Sequence, residues 1–294
     1  MKKLLLSILC FIIFTYAHAA NDKAFFWQVS SETATVYLLG SIHFADKSFY
    51  PLREEIENAF SRSDNLLVEL DINKVDADVY NSLLLQKGTY KDGKTIKDVI
   101  SAETWLQLQK RLNSLNINYD VIKNYRPGVL VLTLSAVQVM QMGFDPQLGI
   151  DVHFLREAAR QSKKIIELET LEQQINLFLN IPDGELLLKE SLYSLDESEL
   201  MMANMVSYWK QGDETRMNKL LFEDAVEDYP AFGEIYDSLF YARNEHMISK
   251  INTMLKQKSA EKIYYFVVVG SGHLIGEKGI VNSLKEKGYD VKRR

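Results

Sequence analysis

Beyond its first twenty residues the chain opens on two β-favouring runs, Phe25-Phe26-Trp27-Gln28-Val29 and Thr33 to Leu39, separated by Ser30-Ser31-Glu32. Two such runs around a polar turn predict a hairpin. After Pro51, Leu52, Ile56, Ala59 and Phe60 recur at helical spacing. Proline is favoured in a first helical turn, so a helix is expected to begin at Pro51. Leu66-Leu67-Val68-Glu69-Leu70 predicts another short strand. From Asp71 to about Ser162 the spacing turns helical, with a long apolar helix within Ile122 to Met142 entered at Pro127, and another over Asp151 to Ala159. Lys164 to Leu168 reads as a strand, and a second helical block, rich in Leu, Met and Glu, runs to about Ser259. Ile263 to Val269 is the strongest strand signal, Gly276 to Lys287 predicts a closing helix, and Tyr289-Asp290-Val291 a last strand. Short strands separated by long helical stretches predict an α/β (α+β) fold, a mixed central sheet covered by helices. The helical blocks, 72–163 and 171–260, read as two long insertions into one core. No stretch is rich enough in Pro, Gly or Ser to be a linker, so 20–294 is expected to form a single domain.

The first 19 residues carry a different pattern. Met1-Lys2-Lys3 is basic, Leu4 to Phe14 is apolar apart from Ser7, and Ala17-His18-Ala19 is a small-x-small triplet. This is the layout of a secretory signal peptide, and its apolar run falls well short of the roughly 20 residues a membrane span requires. Cleavage near Ala20 is expected, giving a periplasmic or secreted protein with no stable membrane span. Leu9 precedes Cys10, where a lipoprotein signal would place a small residue. Cys10 is also the only cysteine, so neither an intramolecular disulfide nor a cysteine metal site can form.

Composition narrows the function classes. With 47% hydrophobic and 25% charged residues the chain is an ordinary folded protein, and 34 basic against 40 acidic side chains argue against a nucleic-acid partner.

The candidate chemistry lies at two look-alike segments. Tyr37-Leu38-Leu39 runs into Gly40-Ser41-Ile42-His43, and Phe266-Val267-Val268-Val269 into Gly270-Ser271-Gly272-His273. Each places a histidine just past the carboxyl end of a buried strand, where open α/β sheets collect ligands. One such histidine is most often a satisfied loop or core residue; the repeat makes a shared role for His43 and His273 worth testing. Neutral imidazole is a good transition-metal ligand and is usually accompanied by carboxylates. Glu69 sits within an apolar strand, where an unpaired carboxylate would be costly; its alternatives are an outward edge position or a buried ion pair. Glu169 follows another strand. Asp151 is as well explained as a helix N-cap. His153 and His246 fit structural roles. Arg243 could hold a substrate carboxylate through its planar fork or pair with a surface acid.

Taken in order, these residues resemble the TraB/GumN family, whose eukaryotic relatives include the TIKI proteases. The resemblance covers about Phe25 to Arg294. It rests on Gly40-Ser41-Ile42-His43 with Pro51-Leu52, Val68-Glu69-Leu70, Gly149-Ile150-Asp151 with Phe154, Leu168-Glu169-Thr170 with Glu172 and Gln173, Arg243-Asn244, and Val269-Gly270-Ser271-Gly272-His273-Leu274. Where the family's closing motif usually has Ala, Ser271 stands here. The resemblance implies an exported metal-dependent hydrolase acting on a peptide or small molecule, with peptidase as the leading sub-class. His43 and His273 with Glu69 or Glu169 would hold one divalent ion (manganese, cobalt or zinc). The other carboxylate would act as general base, and Arg243 would hold a substrate carboxylate or steady an oxyanion. The alternatives are a non-catalytic periplasmic binding protein for a peptide, haem or metal, and an interaction protein whose histidines close a hydrogen-bonded core.

Overall fold

A computed structural model describes residues 22–91 and 93–294. The leader expected over residues 1–19, with Cys10, lies outside the described residues. Six strands form one sheet: β1 (Phe26–Ser30), β2 (Ala34–Ser41), β3 (Asn65–Val68), β4 (Lys164–Glu167), β5 (Ile263–Gly270) and β6 (Val291–Arg293). Their order is β4-β3-β5-β2-β1-β6. β4, β3, β5 and β2 run parallel, while β1 is antiparallel to both β2 and β6. The fold is therefore α/β with a mixed sheet.

The sequence pattern follows the layering. All residues of β2 are buried, and β5 is buried from Tyr265 to Val269. Continuous apolar runs are what a parallel strand covered on both faces requires. β4 shows the opposite pattern, with Lys164 and Glu167 exposed, as its place at the sheet edge allows.

Helices fill the connections. α1 (Glu54–Arg62) joins β2 to β3. α2 (Ala77–Lys87), α3 (Ala102–Ser114), α4 (Pro127–Gln141) and α5 (Ile150–Arg160) lie between β3 and β4. α6 (Leu171–Leu179), α7 (Gly184–Asp196), α8 (Ser198–Gln211) and α9 (Ala242–Lys256), with shorter turns between α8 and α9, lie between β4 and β5. α10 (Ile280–Glu286) precedes β6. The main core packs both faces of the sheet, with Phe26, Phe60, Phe154 and Phe266 in mutual ring contact or one ring apart. A second core belongs to the helical insertions alone, where Leu108 and Leu112 of α3 meet Leu130 and Leu134 of α4 and Leu188 and Leu192 of α7.

Several element boundaries differ from expectation, three of them with a clear local cause. Pro51 precedes α1, whose cap is Arg53 and whose first turn carries Glu54, Glu55 and Glu57; acids complement the positive helix start, so the helix begins with them. α10 starts at Ile280 because Gly276, at φ +80°, belongs to a turn. β6 starts two residues later than expected: the Tyr289 amide donates to the Leu284 carbonyl and closes α10, so sheet pairing begins at Val291.

Candidate functional site

Four neighbouring parallel strands deliver the candidate residues to one edge of the sheet. Ser41 of β2 pairs with Gly270 of β5, so the two Gly-Ser-x-His segments leave adjacent strands staggered by one residue. Beyond β3 comes Glu69, and beyond β4 comes Glu169, whose amide donates to the Glu69 carbonyl at 2.9 Å. Glu69 thus sits past the strand end rather than within the strand. Strand order places Glu169, Glu69, His273 and His43 in a row at the carboxyl ends, where such sheets gather ligands.

The two carboxylates are buried, at 8% and 6% exposure, and both are held by one cation. Arg243 of α9 donates from Nε to Glu169 Oε1 at 2.7 Å, and from Nη2 to Glu169 Oε2 at 2.5 Å and Glu69 Oε2 at 2.6 Å. Its Nη1 donates to the Leu239 carbonyl at 3.0 Å. The fork is therefore engaged by the two glutamates. Two buried anions side by side require neutralisation, and this guanidinium supplies it. Gln174 of α6 adds a donor to Glu169 Oε2 at 3.1 Å. Glu69 Oε1 is left facing the histidines and accepts from the Gly270 amide at 2.7 Å. Burial alone would raise the Glu69 carboxyl, but His273, His43, Arg243 and the Gly270 N–H hold it down at about 2.

His273 is buried, and its Nδ1–H donates to Asn244 Oδ1 at 2.6 Å. The amide of Asn244 is oriented in turn, because Nδ2 donates to the Lys278 carbonyl at 2.9 Å. That orientation leaves Nε2 of His273 unprotonated, 3.7 Å from Glu69 Oε1. Burial pushes this ring down to about 4, against the pull of Glu69, so it is neutral at pH 7. His43 is the open member, its side chain 53% exposed, with Nδ1 3.3 Å from Asp151 Oδ1. Burial works against its charge, but Asp151 and then Glu69 outweigh it and raise the ring to about 9. Asp151 lies inside the first turn of α5, which is capped by Gly149, so the N-cap role considered for it is not the one it has. Gly149 is needed there: a Cβ would stand 2.4 Å from the His43 carbonyl.

The space over Gly270 is where these groups converge. A Cβ added there would meet Glu69 Oε1 at 3.4 Å and both His43 Nε2 and His273 Cδ2 at 3.6 Å. Among the described residues, no three His, Cys, Asp or Glu side chains are grouped tightly enough to hold a metal as they stand. The donor chemistry nevertheless fits an ion. Each histidine turns Nδ1 to a protein oxygen and Nε2 towards the cleft, the arrangement that outer partners impose on metal ligands. Donors sharing one ion lie about 3–4 Å apart, which the Nε2 to Oε1 separation of 3.7 Å satisfies. Glu169, with both oxygens on Arg243, stands outside that group.

His43, Glu69, Arg243 and His273 share the wall of a cavity of about 480 Å³. A neighbouring groove of about 420 Å³ runs past Glu169, Arg243 and the exposed His246. His153 is engaged elsewhere, bonding Glu57 at 2.9 Å and packing on Tyr50 and Phe154. Two residues of the site, Asn244 and Gln174, carry no assigned role in the sequence pattern. A signal for Asn244 existed: it shares one helical face with Met247, Ile248, Ile251 and Leu255, all buried, and a lone amide on an apolar stripe needs a partner.

The model of the TraB/PrgY/gumN family matches residues 25–293. YbaP of Escherichia coli (strain K12), an uncharacterised protein, is 26% identical over 250 residues, covering 85% of this chain and 87% of its own. Metalloprotease TIKI1 of Xenopus tropicalis is 21% identical over 328 residues, covering 92% of this chain but 61% of its own length. A metalloprotease TIKI homolog of Amphimedon queenslandica is also 21% identical, over 99% of this chain and 66% of its own. No solved structure matches significantly.

Proposed function

The chain belongs to the TraB/PrgY/gumN family, and from that membership and the cleft we propose an exported metal-dependent hydrolase, with peptide bonds as its leading substrate. The observation that carries the reading is the placement of His43 and His273, each with Nδ1 against a protein oxygen, His43 Nε2 over Gly270 and His273 Nε2 facing Glu69 Oε1, which itself lies over Gly270. Relatives named metalloproteases support it. His43, His273 and Glu69 would hold the ion, whether manganese, cobalt or zinc. A bound divalent ion supplies Lewis-acid polarisation of a carbonyl and a water of lowered pKa. Glu69 brings the negative charge that such an ion requires, through the Oε1 that Arg243 leaves free. Glu169, the carboxylate that does not ligate, would act as general base once an oxygen is released from Arg243, and Arg243 positions both glutamates rather than the substrate. Asn244 presents the lone pair of His273 Nε2 to the cleft; Asp151 orients the His43 ring but also favours its charged form, so His43 would give up its Nε2 proton on binding the ion.

The test is elemental analysis of the mature protein beside His43→Ala and His273→Ala, with hydrolysis of a quenched fluorescent peptide mixture followed in parallel. The expected result is one divalent ion in the wild type, its loss in both variants, and activity abolished by a chelator and restored by one metal. Activity that persists with the chelator, or in either variant, refutes the assignment. One observation favours the non-catalytic reading: Arg243 already neutralises both carboxylates. Metal or peptide binding without turnover would establish that alternative.

A further inference from the structure

We infer that the cavity over the site is a specificity pocket for large uncharged apolar groups, so that the substrate carries Leu- or Phe-like side chains beside the bond that is cut. The inference rests on the hydrolase reading for the word substrate, but the pocket stands on its own geometry. The cavity holds about 480 Å³, within the range of ligand-sized sites. Its polar groups are confined to the end formed by the strand termini, and the cations there are already matched, Arg243 by Glu69 and Glu169 and His43 by Asp151. The remaining wall is apolar and comes from separate helices: Leu132 and Val139 of α4, Met202 and Met205 of α8, then Met217 and Phe240. Leu132, Val139 and Met205 are only half-buried, so the apolar wall reaches the surface and a ligand can enter over it.

A charged side chain in this wall would lose its hydration and find no free countercharge, so it would be rejected. An aliphatic or aromatic side chain would instead cover surface that water now wets. Three methionines adapt to irregular apolar shapes, so selection should follow hydrophobicity more than outline. The polar end then receives the backbone of the same substrate next to His43, Glu69 and His273.

The test uses chelator-treated mature protein and two capped heptapeptides with identical Gly-Ser flanks, one centred on Leu-Phe-Leu and the other on Lys-Ser-Glu. Titration calorimetry should show the apolar peptide binding at least tenfold tighter. Met205→Glu and Leu132→Glu, on different helices, should each weaken it at least tenfold without moving the melting temperature by more than a few degrees. Met205→Glu should at the same time gain affinity for a Leu-Lys-Leu peptide, an exchange of preference that mere loosening of the fold would not produce. Equal affinity for both parent peptides, no binding of the apolar one at 1 mM, or folded variants that bind it like the wild type overturns the pocket. If the apolar peptide binds but is never cut with any metal restored, the hydrolase reading fails and the pocket survives. If both peptides are cut equally well, the pocket falls and the hydrolase reading survives.

Discussion

His273 depends on a single neighbour for its chemical form. With Nδ1–H given to Asn244 Oδ1 at 2.6 Å, the ring can act in the cleft only through the lone pair of Nε2. Asn244→Ala removes that acceptor and also frees the Lys278 carbonyl. The metal-free variant should lose about 1–3 kcal/mol, because a buried donor is left unpaired, and metal affinity should drop roughly 10–100-fold. Urea denaturation and metal titration check the two effects separately; a variant that loses stability but keeps full metal affinity would reduce Asn244 to a structural residue. Arg243 makes a larger prediction. Arg243→Met strands two buried carboxylates, and breaking a buried ion pair costs about 3–5 kcal/mol. Adding Glu169→Gln should restore part of this in the same denaturation experiment, since one of the two anions is then gone. No recovery in the double variant would mean that Arg243 acts by packing rather than by charge.

At the level of elements, β2, β3 and β5 were legible because each is a compact apolar run; β2 and β5 are almost continuously buried and could hardly be anything else. The repeated Gly-Ser-x-His placed both histidines at strand ends, and those strands proved to be parallel neighbours. Glu69 and Glu169 were visible as acids beside apolar runs. What could not be read was how long-range partners would use them. Arg243 lies 174 positions from Glu69, and no local pattern says that one guanidinium will take both acids. Asp151 looked like a cap because acids favour helix starts, whereas Gly149 had to be the cap so that the His43 loop could lie against it. That close approach is testable. Gly149→Ala places a methyl carbon 2.4 Å from the His43 carbonyl, so either the loop or the start of α5 must shift. The expected result is a drop of a few kcal/mol by thermal unfolding together with weaker metal retention. Unchanged retention would show that His43 is positioned by Asp151 alone.

Across the whole molecule, four residues from positions 43, 69, 169 and 273 meet because four parallel strands end side by side, and the burial of Glu69, Glu169 and His273 ties the site to overall stability. Burial lowers the His273 ring from 6.5 to about 4, and Glu69, for which burial is outweighed by neighbouring positive groups, goes from 4.5 to about 2. In both cases the unfolded chain binds the proton more readily. Stability is therefore lost as pH falls, between 6.5 and 4 for His273 and between 4.5 and 2 for Glu69. His43 has the other sign: raised from 6.5 to about 9, it contributes below 6.5 and its contribution fades as pH rises through 9. Its ring is half exposed and screened by solvent, so this alkaline limb should be shallow. The metal-free protein is thus expected to be most stable near pH 6.5–7, with a steep acid limb to which His273 adds about 3 kcal/mol. For a chain of this size that contribution is worth several degrees of melting temperature. Melting scans from pH 4 to 9 with chelator present should be compared with scans of His273→Asn, which has no proton to gain over that range. The variant's curve should flatten between pH 6.5 and 4. Parallel acid limbs in the two proteins would mean that His273 is charged in the folded state, and the neutral Nε2 on which the ligand assignment depends would be lost with it.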